Sequence, residues 1–160
     1  CNLKWDYINF ENKTLTIPRK EMKVKNPNLN DFSLPLSDEV LKILTNQKEK
    51  TKELDINSKY VFVGIDLIKP LHKDSPTKAL INLGFTRDKK QSLHSMRGSF
   101  KTILEEKEDE HNISDKIIKS ILDHTLDNKV GLAYSNKANY LNRQKPLMDF
   151  WSNFILGLIT

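Results

Sequence analysis

Apolar residues recur at helical spacing along most of this chain, and that periodicity constrains its fold more than any other feature. Leu93, Met96, Phe100, Ile103 and Leu104 follow it, as do Ile117, Ile118, Ile121 and Leu122, and again Leu147, Phe150, Trp151, Phe154 and Ile155. An earlier set, Val40, Leu41, Ile43 and Leu44, follows Ser37, Asp38 and Glu39, a capping serine with an acidic first turn. Two-residue alternation of the kind a strand needs is confined to the beginning. There "LKWDYINFENKTLTIP" reads as a hairpin turning at Glu11-Asn12-Lys13, and "FSLPL" adds a second extended piece. The expected fold is therefore α+β and mostly helical, with a small antiparallel sheet near the N-terminus.

The spacing predicts a helix over "SLHSMRGSFKTILEE", with Met96 and Phe100 facing the core, and another after the cap Ser114. "SPTKALINLGF" has a serine cap, proline at the first helical position and a glycine stop. "YVFVG" (60–64) reads as a short buried strand or extended core segment, and "EKEDEHN" as a solvated loop. The tail "NYLNRQKPLMDFWSNFILGLI" reads as a last helix, with Pro146 bending it or sitting near its start.

At 160 residues and 38% hydrophobic content the chain suits one domain with one core. The net charge of +5 favours an anionic partner without demanding one. A single cysteine, Cys1, allows no internal disulfide and suits a reducing cytosol. No apolar run approaches the roughly 18 residues of a membrane span. The chain begins without Met, inside patterned sequence, and so reads as an excised domain.

Several residues could carry chemistry. His94 and Arg97 stand three apart on the predicted helix, so both leave it on one side. A guanidinium beside an imidazole suits a phosphate better than a metal, because arginine offers a planar fork of donors and histidine one more. On the residues alone the pair is equally a solvated helix surface. The basic stretch "RKEMKVKNPNLND" places Arg19, Lys20, Lys23 and Lys25 on a turn that could reach a phosphate backbone. His72 and His111 read as exposed and silent, and His72, His94, His111 and His124 show no zinc spacing. Taken singly, His124 reads as a helix-end histidine, and Tyr134 and Tyr140 as core or interface aromatics.

In order along the whole chain, these segments resemble the catalytic domain of tyrosine recombinases of the phage-integrase branch. "NLKWDYINF" resembles the opening segment of that domain, and "IPRKEMKVKNP" with "SLPLS" its hairpin. "LHSMR" resembles its H-x-x-R box, and "ILDHTLDNKVGLAYSNKANYLNRQKPLMDFW" the prophage-integrase ending. The resemblance implies a site-specific recombinase that works on double-stranded DNA attachment sites through a 3′-phosphotyrosyl intermediate. Tyr134 would be the nucleophile, Arg97 the second active-site arginine, His94 and His124 the two histidines, and Lys23 the hairpin lysine, with Arg19, Lys20 and Lys25 as DNA contacts. Tyr140 lacks the family's spacing from His124.

The resemblance also implies no metal and no ATP, a homotetramer on DNA, DNA-bending accessory proteins and an excisionase, and a cytoplasmic location away from any membrane. It implies that residues 1–160 are the catalytic domain. The family's first catalytic arginine is expected upstream of Cys1, so this stretch alone is expected to cleave weakly or not at all. Tyr134-Ser135-Asn136 departs from the Tyr-Asn-Arg of many relatives. A catalytically silent DNA-binding remnant and a relaxing topoisomerase of the same chemistry are the competing expectations. The C-terminal aromatic residues suit either an internal core or docking on a neighbouring protomer.

Overall fold

Residues 8–17 fold back on themselves, as the alternation at the start of the chain requires. In the computed structural model, which describes residues 1–85, 92–123 and 140–159, β1 (Ile8–Asn9) pairs antiparallel with β2 (Thr14–Ile17), placing Ile8 opposite Leu15. β2 pairs in turn with β3 (Phe32–Pro35), giving a three-stranded antiparallel sheet in the order β1-β2-β3. Lys13 closes the first turn at φ 51°, and its ammonium reaches Asp38 Oδ1 at 2.8 Å.

The described residues contain six helices: α1 (Asp38–Glu53), α2 (Ser75–Asn82), α3 (Leu93–Glu106), α4 (Glu108–His111), α5 (Asp115–Ile121) and α6 (Leu141–Gly157). Ser37 starts α1 as expected, with its hydroxyl oxygen 3.4 Å from the Val40 amide and its carbonyl accepting from Leu41. α2 begins one residue earlier than its serine suggests: Asp74 is the N-cap, and Ser75 and Pro76 open the helix. Gly84 stops it at φ +88°, donating to the Ile81 carbonyl while Phe85 donates to Leu80. Those paired bonds close the last turn and need the left-handed residue that glycine supplies most easily.

Two compact units divide the chain, one of Cys1–Asp6 and Leu44–Glu106, the other of Tyr7–Ile43 and Lys107–Thr160. The expectation of one core over the whole chain is thereby refined to two centres of packing. In the first unit Leu44, Val61, Phe100 and Leu104 are buried. Val61 belongs to the segment expected to be extended. It is held by its amide donating to the Leu3 carbonyl and by an isolated bridge between Lys4 and Tyr60, so no strand longer than a bridge forms there. In the second unit α6 packs on β3, α5 and α4, burying Leu147 against a core that includes Ile117, Ile118, Ile121 and Leu122.

Three expectations change. The acidic stretch read as a loop contains the short helix α4, whose end at Asn112 adopts φ +50°. Met96 is 48% exposed and does not face the core, whereas Phe100 does. His111 is not silent: its ring meets Phe150 edge-on at 5.3 Å, and its Nδ1 accepts from the Ile113 amide. The tail is one helix with Pro146 inside it. Its aromatic residues are partly covered within the second unit, where Trp151 stacks on Phe154 and the Lys107 ammonium lies over the Phe154 ring.

Candidate active site

α3 carries His94 and Arg97 because its beginning and its buried face are both fixed. Ser92 and Ser95 cap it reciprocally. The Ser92 hydroxyl oxygen accepts from the Ser95 amide at 3.1 Å, and the Ser95 hydroxyl oxygen accepts from the Ser92 amide at 2.8 Å. This is the reciprocal logic of a capping box, with serine in the place usually held by glutamate. Phe100 and Leu104 turn the C-terminal half of the helix inward. His94 and Arg97 are left exposed in the helix's N-terminal half. There the helix dipole favours anions, so the backbone charge has the same sign as the Arg97 guanidinium.

Lys23 lies in the segment between β2 and β3. A 3-10 turn, Arg19–Glu21, opens that segment, and the chain then runs through bends without strand or helix. Lys20, Lys23 and Lys25 are exposed on it, as a cationic projection requires. Arg19 behaves differently. Its guanidinium is bidentate on Asp123, at 2.9 and 3.0 Å, and its Nε donates to the Asn30 carbonyl at 2.8 Å. Its side chain is only 11% exposed, so its charge is engaged inside the protein rather than held out toward a ligand. This sets it apart from the three lysines. An acid 104 positions away is satisfied by a pairing that no local pattern announces. The one sequence signal is an aspartate immediately before His124.

His124 and Tyr134 lie outside the described residues, as do the segments 86–91 and 124–139 that flank α3 and precede α6. α3 and the lysine segment belong to different units. Among the described residues, no group of three or more His, Cys, Asp or Glu side chains is placed to hold a metal ion. No described helix is long and apolar enough to cross a membrane. A hollow of about 510 Å³ in the first unit, between Trp5 and Lys48, Thr51 and Lys52 of α1, includes none of the candidate residues.

The ordered motifs agree with the comparisons. Residues 1–140 match the model of the phage integrase family, and this chain belongs to that family. It is 28% identical over 155 residues to the integrase of Shigella phage Sf6 and, equally, to the prophage integrase IntS of Escherichia coli (strain K12). Each alignment covers 96% of this chain and 37% of the relative. The prophage integrase IntZ of the same bacterium is 28% identical over 156 residues, covering 98% of this chain and 35% of its own length. The chain thus spans little more than a third of these relatives. No solved structure gives a significant match.

Proposed function

We propose that this chain supplies the strand-cleaving and strand-joining centre of an integrase that inserts or excises a mobile DNA element. The observation that carries this reading is the family match over residues 1–140, which takes in Lys23, His94, Arg97, His124 and Tyr134 in chain order. The exposed His94 and Arg97 on a firmly capped helix support it.

In the proposed reaction the Tyr134 Oη attacks a DNA phosphorus in line. The P–O5′ bond breaks, and a 3′-phosphotyrosyl bond forms. A tyrosine phenol has a pKa of about 10 and is a weak nucleophile near neutrality. Nearby cations favour its phenolate and stabilise the extra negative charge on the five-coordinate phosphorus. Arg97 would supply that charge, with His94 and His124 donating to the phosphoryl oxygens or relaying the phenol proton. Lys23 would give a proton to the departing 5′ oxygen, leaving a 5′-hydroxyl. Attack by the 5′-hydroxyl of another strand then expels Tyr134 and reseals the backbone. One phosphoester is exchanged for another, so neither ATP nor a metal ion is required by the scheme. Lys20 and Lys25 would hold the DNA backbone. A homotetramer on paired attachment sites, DNA-bending helpers and an excisionase complete the reading, which places the reaction in the cytoplasm.

The test is an incubation of the full-length protein with DNA spanning the boundary of its element, in chelator, stopped with detergent. A covalent protein–DNA adduct is expected from the wild type and from Tyr140→Phe, and none from Tyr134→Phe. Tight DNA binding with no adduct from any form would replace the proposal with a silent DNA-binding remnant.

A further inference from the structure

One guanidinium fastens two parts of the second unit that the proposed chemistry needs. The segment carrying Lys23 leaves β2 at Ile17 and returns at Phe32, and Arg19 closes its base. The Arg19 amide donates to Asp31 Oδ1 at 2.8 Å, and its Nε donates to the Asn30 carbonyl, so the two sides of the loop are tied by one residue. One donor on each terminal nitrogen goes to the Asp123 carboxylate. Planar two-point pairing of this kind fixes orientation as well as distance.

Asp123 is an unusual residue for its position. It follows the last turn of α5 at φ +50°, with its amide on the Ser120 carbonyl, where a helix most often places glycine. Aspartate tolerates the left-handed region better than most side chains but gains nothing there from its backbone. What the carboxylate does at this site is hold Arg19. The next residue in the chain is His124, which the proposed mechanism uses.

We infer that Arg19 and Asp123 are a positioning pair that sets the Lys23 loop against the end of α5, so that Lys23 enters the reaction from a fixed frame. The inference rests on the proposed strand-transfer function and deepens it. Neither residue touches the DNA in this account. It therefore separates from the alternative in which Arg19 grips a phosphate.

The experiment compares Arg19→Gln, Asp123→Asn and their double variant with wild type in the full-length protein. It measures the rate of adduct formation, DNA affinity against salt, and amide hydrogen exchange. Asparagine keeps the shape and accepts the left-handed backbone, so folding is preserved. Each single variant is expected to slow adduct formation on the order of tenfold, and the double variant to be no slower than the worse single, because both remove one interaction. DNA affinity and its salt slope stay at wild-type values, and the hydrogen-bonded amides of Glu21, Met22 and Leu29 exchange faster in Asp123→Asn. Arg19→Lys, which keeps one charged contact, recovers part of the rate.

Multiplying effects in the double variant would overturn the inference. So would a lowered salt slope in Arg19→Gln with Asp123→Asn unaffected, which would make Arg19 a DNA contact. If wild type forms no adduct at all, the strand-transfer reading has failed by itself. Exchange then decides the pair: loosening of the loop in Asp123→Asn retains it, and unchanged protection removes it.

Discussion

α3 and the loop between β2 and β3 both present cations for the same proposed chemistry, yet they are held by different physics. α3 is regular: a reciprocal serine cap fixes its start, and Phe100 and Leu104 fix its rotation. The directions of His94 and Arg97 then follow from helical geometry alone. The loop has no periodic backbone pairing. Its form depends on a few side-chain bonds, with Arg19 at the centre and Tyr7 hydrogen-bonded to Glu21 nearby. A helix distributes its support over many weak contacts, whereas the loop concentrates support in a few strong ones. Single polar substitutions should therefore alter the loop more than the helix, and single apolar substitutions the reverse.

The largest expected effect comes from breaking the helix side of that contrast. Leu104 is fully buried, and Leu104→Ala should lower unfolding stability by about 2–5 kcal/mol. Chemical denaturation checks this, and a loss under about 1 kcal/mol would mean that α3 is not anchored as described. A smaller loss, about 1 kcal/mol, is expected of Ser92→Ala, which deletes one half of the reciprocal cap. Exchange at the Ser95 amide should rise with it, while the loop amides stay unchanged.

On the loop side, Lys25→Ala should leave stability within about 0.5 kcal/mol of wild type, since the side chain is exposed. Its signature is in DNA binding, where the slope of log affinity against log salt should fall by about 1 if Lys25 neutralises one phosphate. An unchanged slope would remove Lys25 from the interface.

The smallest effect is a pH dependence at Lys13 and Asp38, which join the first hairpin turn to α1. The hydrogen bond from Lys13, and then its charge, hold the Asp38 carboxyl below the ordinary carboxylate range, and the same pair raises Lys13. A lowered carboxyl pKa adds stability above its unfolded value, and that gain is lost as the pH falls through the folded value. The contribution should thus be present at neutral pH and vanish in acid, below about pH 4. Both groups are fully exposed and the effect is correspondingly slight. Titration of Asp38 by NMR, with Lys13→Ala returning it to the ordinary range, checks the sign.

What the sequence disclosed follows the same division. The β1–β2 turn, the Ser37 cap, the glycine stop of α2 and the course of α3 and α6 are local or periodic, and each was legible. Met96 was misplaced because periodicity marks a broad stripe and does not say how far its edge is covered. The short helix α4 escaped notice because its acidic residues have no apolar period, and it is covered on one side by His111 meeting Phe150. Arg19 was read with the lysines because its partner is remote in sequence. The ordered motifs, by contrast, identified the family from particular residues, from "LHSMR" to "LAYSNKANY", and the match over residues 1–140 agrees.

The measurement that bears most directly on the account identifies the atom that DNA is joined to. Full-length protein would be trapped on DNA from its element boundary and digested with protease and nuclease. Mass spectrometry would then locate the nucleotide on the peptide. The account predicts a 3′-linked nucleotide on Tyr134, with Tyr140 unmodified. A nucleotide on Tyr140, on a serine or on any other side chain would contradict it.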